Sequence, residues 1–293
     1  MKVIFMGTPD FAVGTLEAIV AAGHEVVLAV TQPDKPKGRG KSMQYPPVKE
    51  AAIAYGIEVY QPERVRRLEC IEYLAKYQPD IIVVAAFGQI LPKEILEMPK
   101  YGCINVHASL LPKYRGAAPI QWAVINGEKA SGVTIMRMDE GLDTGDMIAS
   151  VAVELDAQET GGSLFDKLQD AGARLCVETM KSIEDGTAVY TPQDNEIATH
   201  TKMIQKSLGK INWSLSAVQI ERLIRGLNPW PSAYTFLNGK TLKVWKCSVE
   251  SGNCGKEAPG TITGVDKKGI HVACGTDKLV LEEVQLEGKK RMQ

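Results

Sequence analysis

Several patterns that would assign a chemistry at once are missing from this 293-residue chain. Its six cysteines (Cys70, Cys103, Cys176, Cys247, Cys254 and Cys274) form no CxxC pair, which suggests neither a zinc site nor a disulfide framework and predicts a reduced, cytoplasmic protein. HExxH is absent and the four histidines, His24, His107, His200 and His271, lie far apart, so no metal site is expected. Neither GxxxxGK[ST] nor GxGxxG occurs; the first apolar run ends in GTPDF, with a single glycine, and dinucleotide binding at that turn lacks its glycines. No apolar run approaches the ~20 residues that span a bilayer. The opening MKVIFMGTPDF meets Gly7 and Pro9 too early for a signal-peptide core. An excess of one charge is missing too. A net charge of −1 with 24% charged residues excludes a disordered polyelectrolyte and a wholly basic nucleic-acid coat.

What is present divides the chain in two. Apolar runs at KVIFMG and Val26–Val30, then at Ile81–Ala86 and Cys103–His107, read as strands covered on both faces. Helical patterns alternate with them over Pro9–Ala22, Val48–Tyr55, Arg64–Tyr77 and Ala118–Asn126, and a long one runs from Ser163 to Ile183. The fold class is therefore α/β, a doubly wound, mostly parallel, Rossmann-like sheet over residues 1–189. A polar stretch of little periodicity, 190–208, suits a linker. Over 209–293 the texture changes to short β-rich segments separated by Asn-Gly, Gly-Asn and Lys-Gly turns, which predicts a small sheet or barrel. The balanced charge hides an asymmetry: from Gln205 to Gln293 there are 14 basic and 8 acidic residues, leaving 20 basic and 27 acidic before them. A basic tail on an acidic body suits a polyanionic partner, and the ordinary charge drift of a small domain fits the same numbers.

The informative segment is Cys103 to Glu128. Strand alternation puts Asn105 and His107 on one side and Ile104 and Val106 on the other. Ligands of open α/β sheets bind beyond the carboxyl ends of strands, so an amide and an imidazole together at that edge form a plausible reactive pair. A strand-end histidine that only caps backbone is the competing reading. The loop that follows, SLLPKYRGAAP, is poor for packing and suited to presenting backbone groups. Further on, MDEGLDTGD offers Asp139, Asp143 and Asp146, either as a solvated acidic hairpin or as a loop at the same edge. There it would place a carboxylate beside His107 and fix its orientation. The run DKPKGRGK, with Lys35, Lys37, Arg39 and Lys41 among Pro and Gly, reads as a solvated loop without regular structure.

INVHASLLPKYRG followed by GLDTGD closely resembles the folate-dependent formyltransferases. GTPDFA, TQPDKPKGRGK, AAFGQILP, LNPWPSAY and LKVWK carry the resemblance over nearly the whole chain, toward the members that act on initiator tRNA. What it implies is transfer of a formyl group from 10-formyltetrahydrofolate to the amino group of methionyl initiator tRNA, with no metal and no covalent intermediate. Asn105 and His107 would donate hydrogen bonds to the developing oxyanion. Asp143 would hold His107 protonated or relay the proton leaving the amine. Ser109, Leu110, Leu111 and Pro112 match the stretch that contacts folate, and the AAFGQILP loop, with Phe87, Gly88 and Ile90, would line the pterin pocket through backbone groups. The basic loop would enter the acceptor stem, Arg39 sensing its first position. Lys206 and Lys210, with Lys240, Lys243 and Lys246, would follow the phosphates from an OB-like barrel. Trp213, Trp230 and Trp245 read as core. The family also runs some residues past LEGKKRM. A monomer without a membrane partner is expected. A formyltransferase for a small amine such as glycinamide ribonucleotide would keep the trio but have no use for the basic regions. A formyltetrahydrofolate hydrolase, with water in place of the amine, and a non-catalytic tRNA-binding protein would fit the same motifs.

Overall fold

A computed structural model describes residues 1–37, 42–252 and 257–293. In chain order the elements are β1 (Lys2–Gly7), α1 (Asp10–Ala21), β2 (Glu25–Val30), β3 (Lys35–Lys37), β4 (Ser42–Gln44), α2 (Pro47–Ala54), β5 (Val59–Tyr60), α3 (Leu68–Ala75), β6 (Ile81–Ala85), α4 (Lys93–Leu96), β7 (Cys103–His107), β8 (Arg115–Gly116), α5 (Pro119–Ile125), β9 (Ala130–Arg137), β10 (Met147–Glu154), α6 (Gly161–Glu184), β11 (His200–Thr201), α7 (Ala217–Gly226), β12 (Ala233–Leu237), β13 (Lys240–Glu250), β14 (Ile262–Asp266), β15 (Gly269–Ala273) and β16 (Lys278–Leu286). The chain divides into two compact units: Met1–Gly116, Gly132–Val153 and Asp166–His200 in the first, Ala117–Ser131, Glu154–Phe165 and Thr201–Gln293 in the second.

The main sheet has seven strands in the order β10-β9-β7-β6-β1-β2-β5. β1 pairs in parallel with both β2 and β6, β2 with β5, and β6 with β7, whereas β7 and β9 run antiparallel. The expected mostly parallel sheet is there, with four parallel pairings, and the antiparallel pairing of β7 with β9 makes it mixed. Its continuous apolar runs follow from position: Val3 to Met6 and Ile81 to Val83 are fully buried, because a central strand has no face turned to water. At the end of β1 the single Gly7 serves close packing. A Cβ there would stand 2.7 Å from that of Ala12 and 2.9 Å from the Ala85 carbonyl, so the turn admits no side chain.

The Pro- and Lys-rich stretch after β2 departs from its expected irregularity. Lys35 to Lys37 pair antiparallel with Ser42 to Gln44. A two-stranded ribbon has a free edge on each strand, so Pro36, lacking an N–H, is tolerated where a central strand would reject it.

In the second unit β12-β13-β16-β15-β14 form a five-stranded antiparallel sheet. The expected Asn-Gly turn is there: Asn238 and Gly239, both at positive φ, join β12 to β13. α7 begins in a capping box. The Ser216 hydroxyl accepts the Gln219 N–H, and the Gln219 side chain accepts the Ser216 N–H. Its inner face (Ala217, Ile220, Ile224) joins a core with Val244, Val272, Leu279 and Leu281. Trp213 packs against that core and Trp245 is buried, but Trp230, also expected inside, is 54% exposed. The Ser232 N–H closes its turn on the Leu227 carbonyl at 2.9 Å, which fixes the backbone while the ring faces out.

His271 on β15 lies between two carboxylates, with Nδ1 3.1 Å from Glu250 Oε2 and Nε2 3.0 Å from Asp266 Oδ1, the latter without the alignment of a hydrogen bond. Asp266 first, then Glu250, raise the His271 pKa above 6.5. Its charged form therefore adds stability that is complete below about pH 6.5 and is lost as pH rises through the raised value. We expect denaturant midpoints to fall over that window in the wild-type chain. His271→Gln should remove the fall, and an unchanged slope would exclude His271 as its source.

Candidate functional site

His107 ends β7, paired with Thr134 across the antiparallel ladder to β9, and is buried. Its Nε2 lies 2.9 Å from the Tyr114 carbonyl oxygen. A carbonyl can only accept, so this nitrogen carries a hydrogen. Nδ1 faces Asp143, 3.7 Å from Oδ2, which is ion-pair range and too long for a hydrogen bond. The same Oδ2 accepts the Gly116 N–H at 2.7 Å. The loop after β7 thus supplies a carbonyl to the imidazole and an N–H to the carboxylate. Asn105, two residues back along β7, is half-buried and its amide has no hydrogen-bond partner among the described residues. Of the three aspartates in the acidic loop Asp143 is the one beside His107; Asp139 is spent on its own turn, accepting from Gly141 N–H and the Thr144 hydroxyl.

Holding Asp143 there requires support that the sequence did not advertise. Its φ is +53°, a left-handed conformation uncommon outside glycine, though aspartate and asparagine adopt it more readily than other residues. Gln193 braces the turn, donating through Nε2 to the carbonyls of Asp143 (2.8 Å) and Gly145 (2.7 Å). The other end of the Gln193 amide accepts from Arg115 Nε (3.0 Å) and Nη2 (2.9 Å), and Nη2 also reaches Asn195 Oδ1 at 2.8 Å. Arg115 is only 3% exposed. Gln193 and Asn195 come from the polar stretch read as a linker, where Thr191 bridges to Met147 and the Thr199 carbonyl accepts the Arg115 N–H. Gln193→Leu keeps the bulk but removes the donor to the Asp143 and Gly145 carbonyls and leaves Arg115 with Asn195 but without the Gln193 oxygen. If this site is catalytic, kcat should fall by about tenfold or more with substrate KM values little changed, as measured by steady-state kinetics.

Among the residues expected to contact folate, Ser109 is buried and its hydroxyl is turned into its own loop, donating to the Lys113 carbonyl at 2.7 Å; its carbonyl accepts from Thr134 Oγ1, which also accepts the Leu111 N–H. Leu111 and Pro112 are buried and joined by a cis peptide, and Leu110 is half-buried beside Gly132. The Phe87 ring is core, so only its backbone faces other groups: its carbonyl accepts from Thr8 Oγ1 and Gln32 Nε2. Gly88 has a φ of +79° and Ile90 is 78% exposed. Lys35, Lys206 and Lys210 are exposed, Lys210 lying 5.9 Å from the Phe236 ring centre. Arg39 and Lys41, with the side chain of Lys37, lie outside the described residues. Burial pushes the Cys103 and Cys176 thiols up to about 12, which keeps them protonated and unreactive. Among the described residues no group of His, Cys, Asp and Glu is arranged to hold a metal ion, and no helix is long and apolar enough to cross a membrane.

Residues 1–180 match the formyl transferase family and 203–293 match the formyl transferase C-terminal domain. The methionyl-tRNA formyltransferase of Agathobacter rectalis is 69% identical over the whole of this chain and 94% of its own length, and that of Acetivibrio thermocellus is 51% identical with the same coverage. Among solved structures, an N-formyltransferase from Helicobacter canadensis, in complex with folinic acid and dTDP-3-aminofucose, has a TM-score of 0.69 at 20% identity over 96% of this chain and 99% of that one. A sugar 3N-formyl transferase, determined in the presence of dTDP and 5-N-formyl-THF, reaches 0.70 at 20% identity over 99% of both. Those two show a shared fold. With the match of 1–180 and full-length relatives at 51–69% identity, the chain belongs to the formyl transferase family, among the methionyl-tRNA formyltransferases.

Proposed function

We propose that this protein transfers the formyl group of 10-formyltetrahydrofolate to the amino group of methionyl initiator tRNA. The observation that carries the chemistry is the uncommitted Asn105 amide on the same strand as an imidazole held between the Tyr114 carbonyl and the Asp143 carboxylate. When the amine attacks the formyl carbon, negative charge develops on the formyl oxygen. Asn105 has free N–H donors for it. The Nε2 hydrogen of His107 is held by Tyr114, so the ring hydrogen able to reach a ligand is one on Nδ1. A ring carrying both hydrogens is an imidazolium, and the Asp143 carboxylate lies 3.7 Å from its Nδ1. Asp143 then either keeps that charge in place or takes up the proton lost by the amine.

Ser109 to Pro112 and the Phe87–Ile90 loop supply the folate contacts in this reading, mostly through backbone groups and the Leu110 side chain. Folate use is supported by the folate-type ligands of the two solved relatives. Lys35, Lys37, Arg39, Lys41, Lys206 and Lys210 meet the acceptor arm, and the five-stranded sheet serves as the OB-like barrel of a tRNA-binding part that starts near residue 209. The working form is a cytoplasmic monomer. The test is formyl transfer from 10-formyltetrahydrofolate to methionylated initiator tRNA, with uncharged tRNA, a charged elongator and glycinamide ribonucleotide alongside. Transfer confined to the charged initiator is the expected result. Transfer to the small amine alone would overturn the acceptor, and folate breakdown without an acceptor would indicate a hydrolase.

A further inference from the structure

A second polar assembly lines the carboxyl edge of the parallel strands and shares no residue with the His107 site. Four neighbouring strands, β6, β1, β2 and β5, contribute to it in spatial order. Thr8, just after β1, donates through its hydroxyl to the Phe87 carbonyl beyond β6 (3.3 Å) and accepts the Gln32 N–H (3.2 Å). Gln32, after β2, donates through Nε2 to the same Phe87 carbonyl at 3.2 Å. Gln61, after β5, donates to the Gln32 carbonyl (2.9 Å) and to Asp34 Oδ1 (2.8 Å). Lys49 on α2 closes the row: its ammonium donates to both Asp34 oxygens (2.9 and 2.7 Å) and to Gln61 Oε1 (2.7 Å), and it stands 3.8 Å from the centre of the Tyr45 ring.

Asp34 immediately precedes β3 and Tyr45 immediately follows β4, so one ammonium grips both legs of the basic hairpin. The Lys49 side chain is 14% exposed, low for a lysine whose task is only to solvate a surface. Its three donors are all used, and the Asp34 carboxylate is held below the usual range chiefly by Lys49 and then by Gln61. Charge-assisted bonds of this kind fix geometry more firmly than neutral ones. The row of Gln61, Gln32 and Thr8 then ties the hairpin base to the carbonyl of the Phe87 loop.

We infer that Lys49 is a positioning residue for the acceptor, setting the base of the paired strands β3 and β4 against the Phe87 loop so that nucleic acid and folate are received in one frame. The inference rests on the acceptor proposed above. It is tested by steady-state kinetics of the full chain with both substrates varied, for wild type, Lys49→Met and Lys49→Arg. Lys49→Met should raise KM for methionyl initiator tRNA about tenfold, with kcat and the KM for 10-formyltetrahydrofolate within about twofold of wild type. Lys49→Arg, which can still pair with Asp34, should recover most of that loss. A merely structural lysine would lower the active fraction, and so kcat, while leaving both KM values alone; that result, or an equal rise in both, overturns the inference. If Lys49→Met does not fold, Tyr45→Leu releases one leg only and should raise the tRNA KM about threefold, an unchanged KM again overturning it. Wild-type chain that does not formylate initiator tRNA would overturn the acceptor itself, and would be seen before any variant is compared.

Discussion

Replacing His107 with alanine should lower formyl transfer by at least about 10²–10³-fold if, as proposed, the substitution removes a preorganised donor from the developing oxyanion. If His107 also carries charge in the transition state, the loss grows, since positioned proton transfer contributes a further ~10²–10⁴-fold. The change has a structural side as well. The ring is buried, and its removal leaves the Tyr114 carbonyl without its partner, a cost of about 1–3 kcal/mol. The measurement must therefore separate stability from chemistry. Binding of methionyl initiator tRNA and of the folate should stay within a few-fold of wild type, with the loss confined to kcat. His107→Gln, of similar bulk, serves as the companion: its amide can still donate to Tyr114 but cannot become a cation, so it should be nearly as slow as the alanine variant and more stable. A rate near wild type in either would remove His107 from the reaction.

That His107 could be singled out from sequence at all follows from strand geometry. A period of two leaves no freedom in which face Asn105 and His107 share once Ile104 and Val106 are buried, and the parallel order places that strand end where ligands bind. Long apolar-periodic segments were legible for the same reason: α6, expected over Ser163–Ile183, runs Gly161–Glu184, and α1, expected over Pro9–Ala22, runs Asp10–Ala21. What stayed hidden is held together across long stretches of chain. Arg115 and Gln193 are 78 residues apart, and Gln193 reaches Asp143 across 50, so no local pattern marks either as part of the site. The hairpin arms around Pro36 were hidden because their composition is that of a loop; pairing with Ser42–Gln44 decides the outcome. Trp230 shows the converse error, in which a rigid proline-flanked turn suggests a buried ring and in fact leaves it exposed. For the Phe87 loop the resemblance located the segment, but only packing shows that the ring is core and the carbonyl is the group that meets its neighbours.

Asp143→Asn separates charge from shape more cleanly than any change at His107. The Asn side chain keeps an oxygen that can accept the Gly116 N–H now held at 2.7 Å, and the Gln193 bonds to the Asp143 and Gly145 carbonyls involve backbone that the substitution does not touch. Asparagine is among the residues best able to hold a positive φ, so the +53° at this position should survive. What disappears is the negative charge 3.7 Å from Nδ1. If the imidazolium is the working form, its stabilisation goes with that charge, and kcat should fall by about 10²–10⁴-fold while both KM values and the melting temperature stay near wild type. A carboxylate that only oriented the ring would be replaced by an amide at much smaller cost, and a loss below about tenfold would assign Asp143 that lesser role. Asp143→Ala supplies the contrast, since it frees the Gly116 N–H and loosens the loop as well. A larger fall in stability than for Asn, with a similar fall in kcat, would show that the charge, and not the scaffold around it, carries the rate.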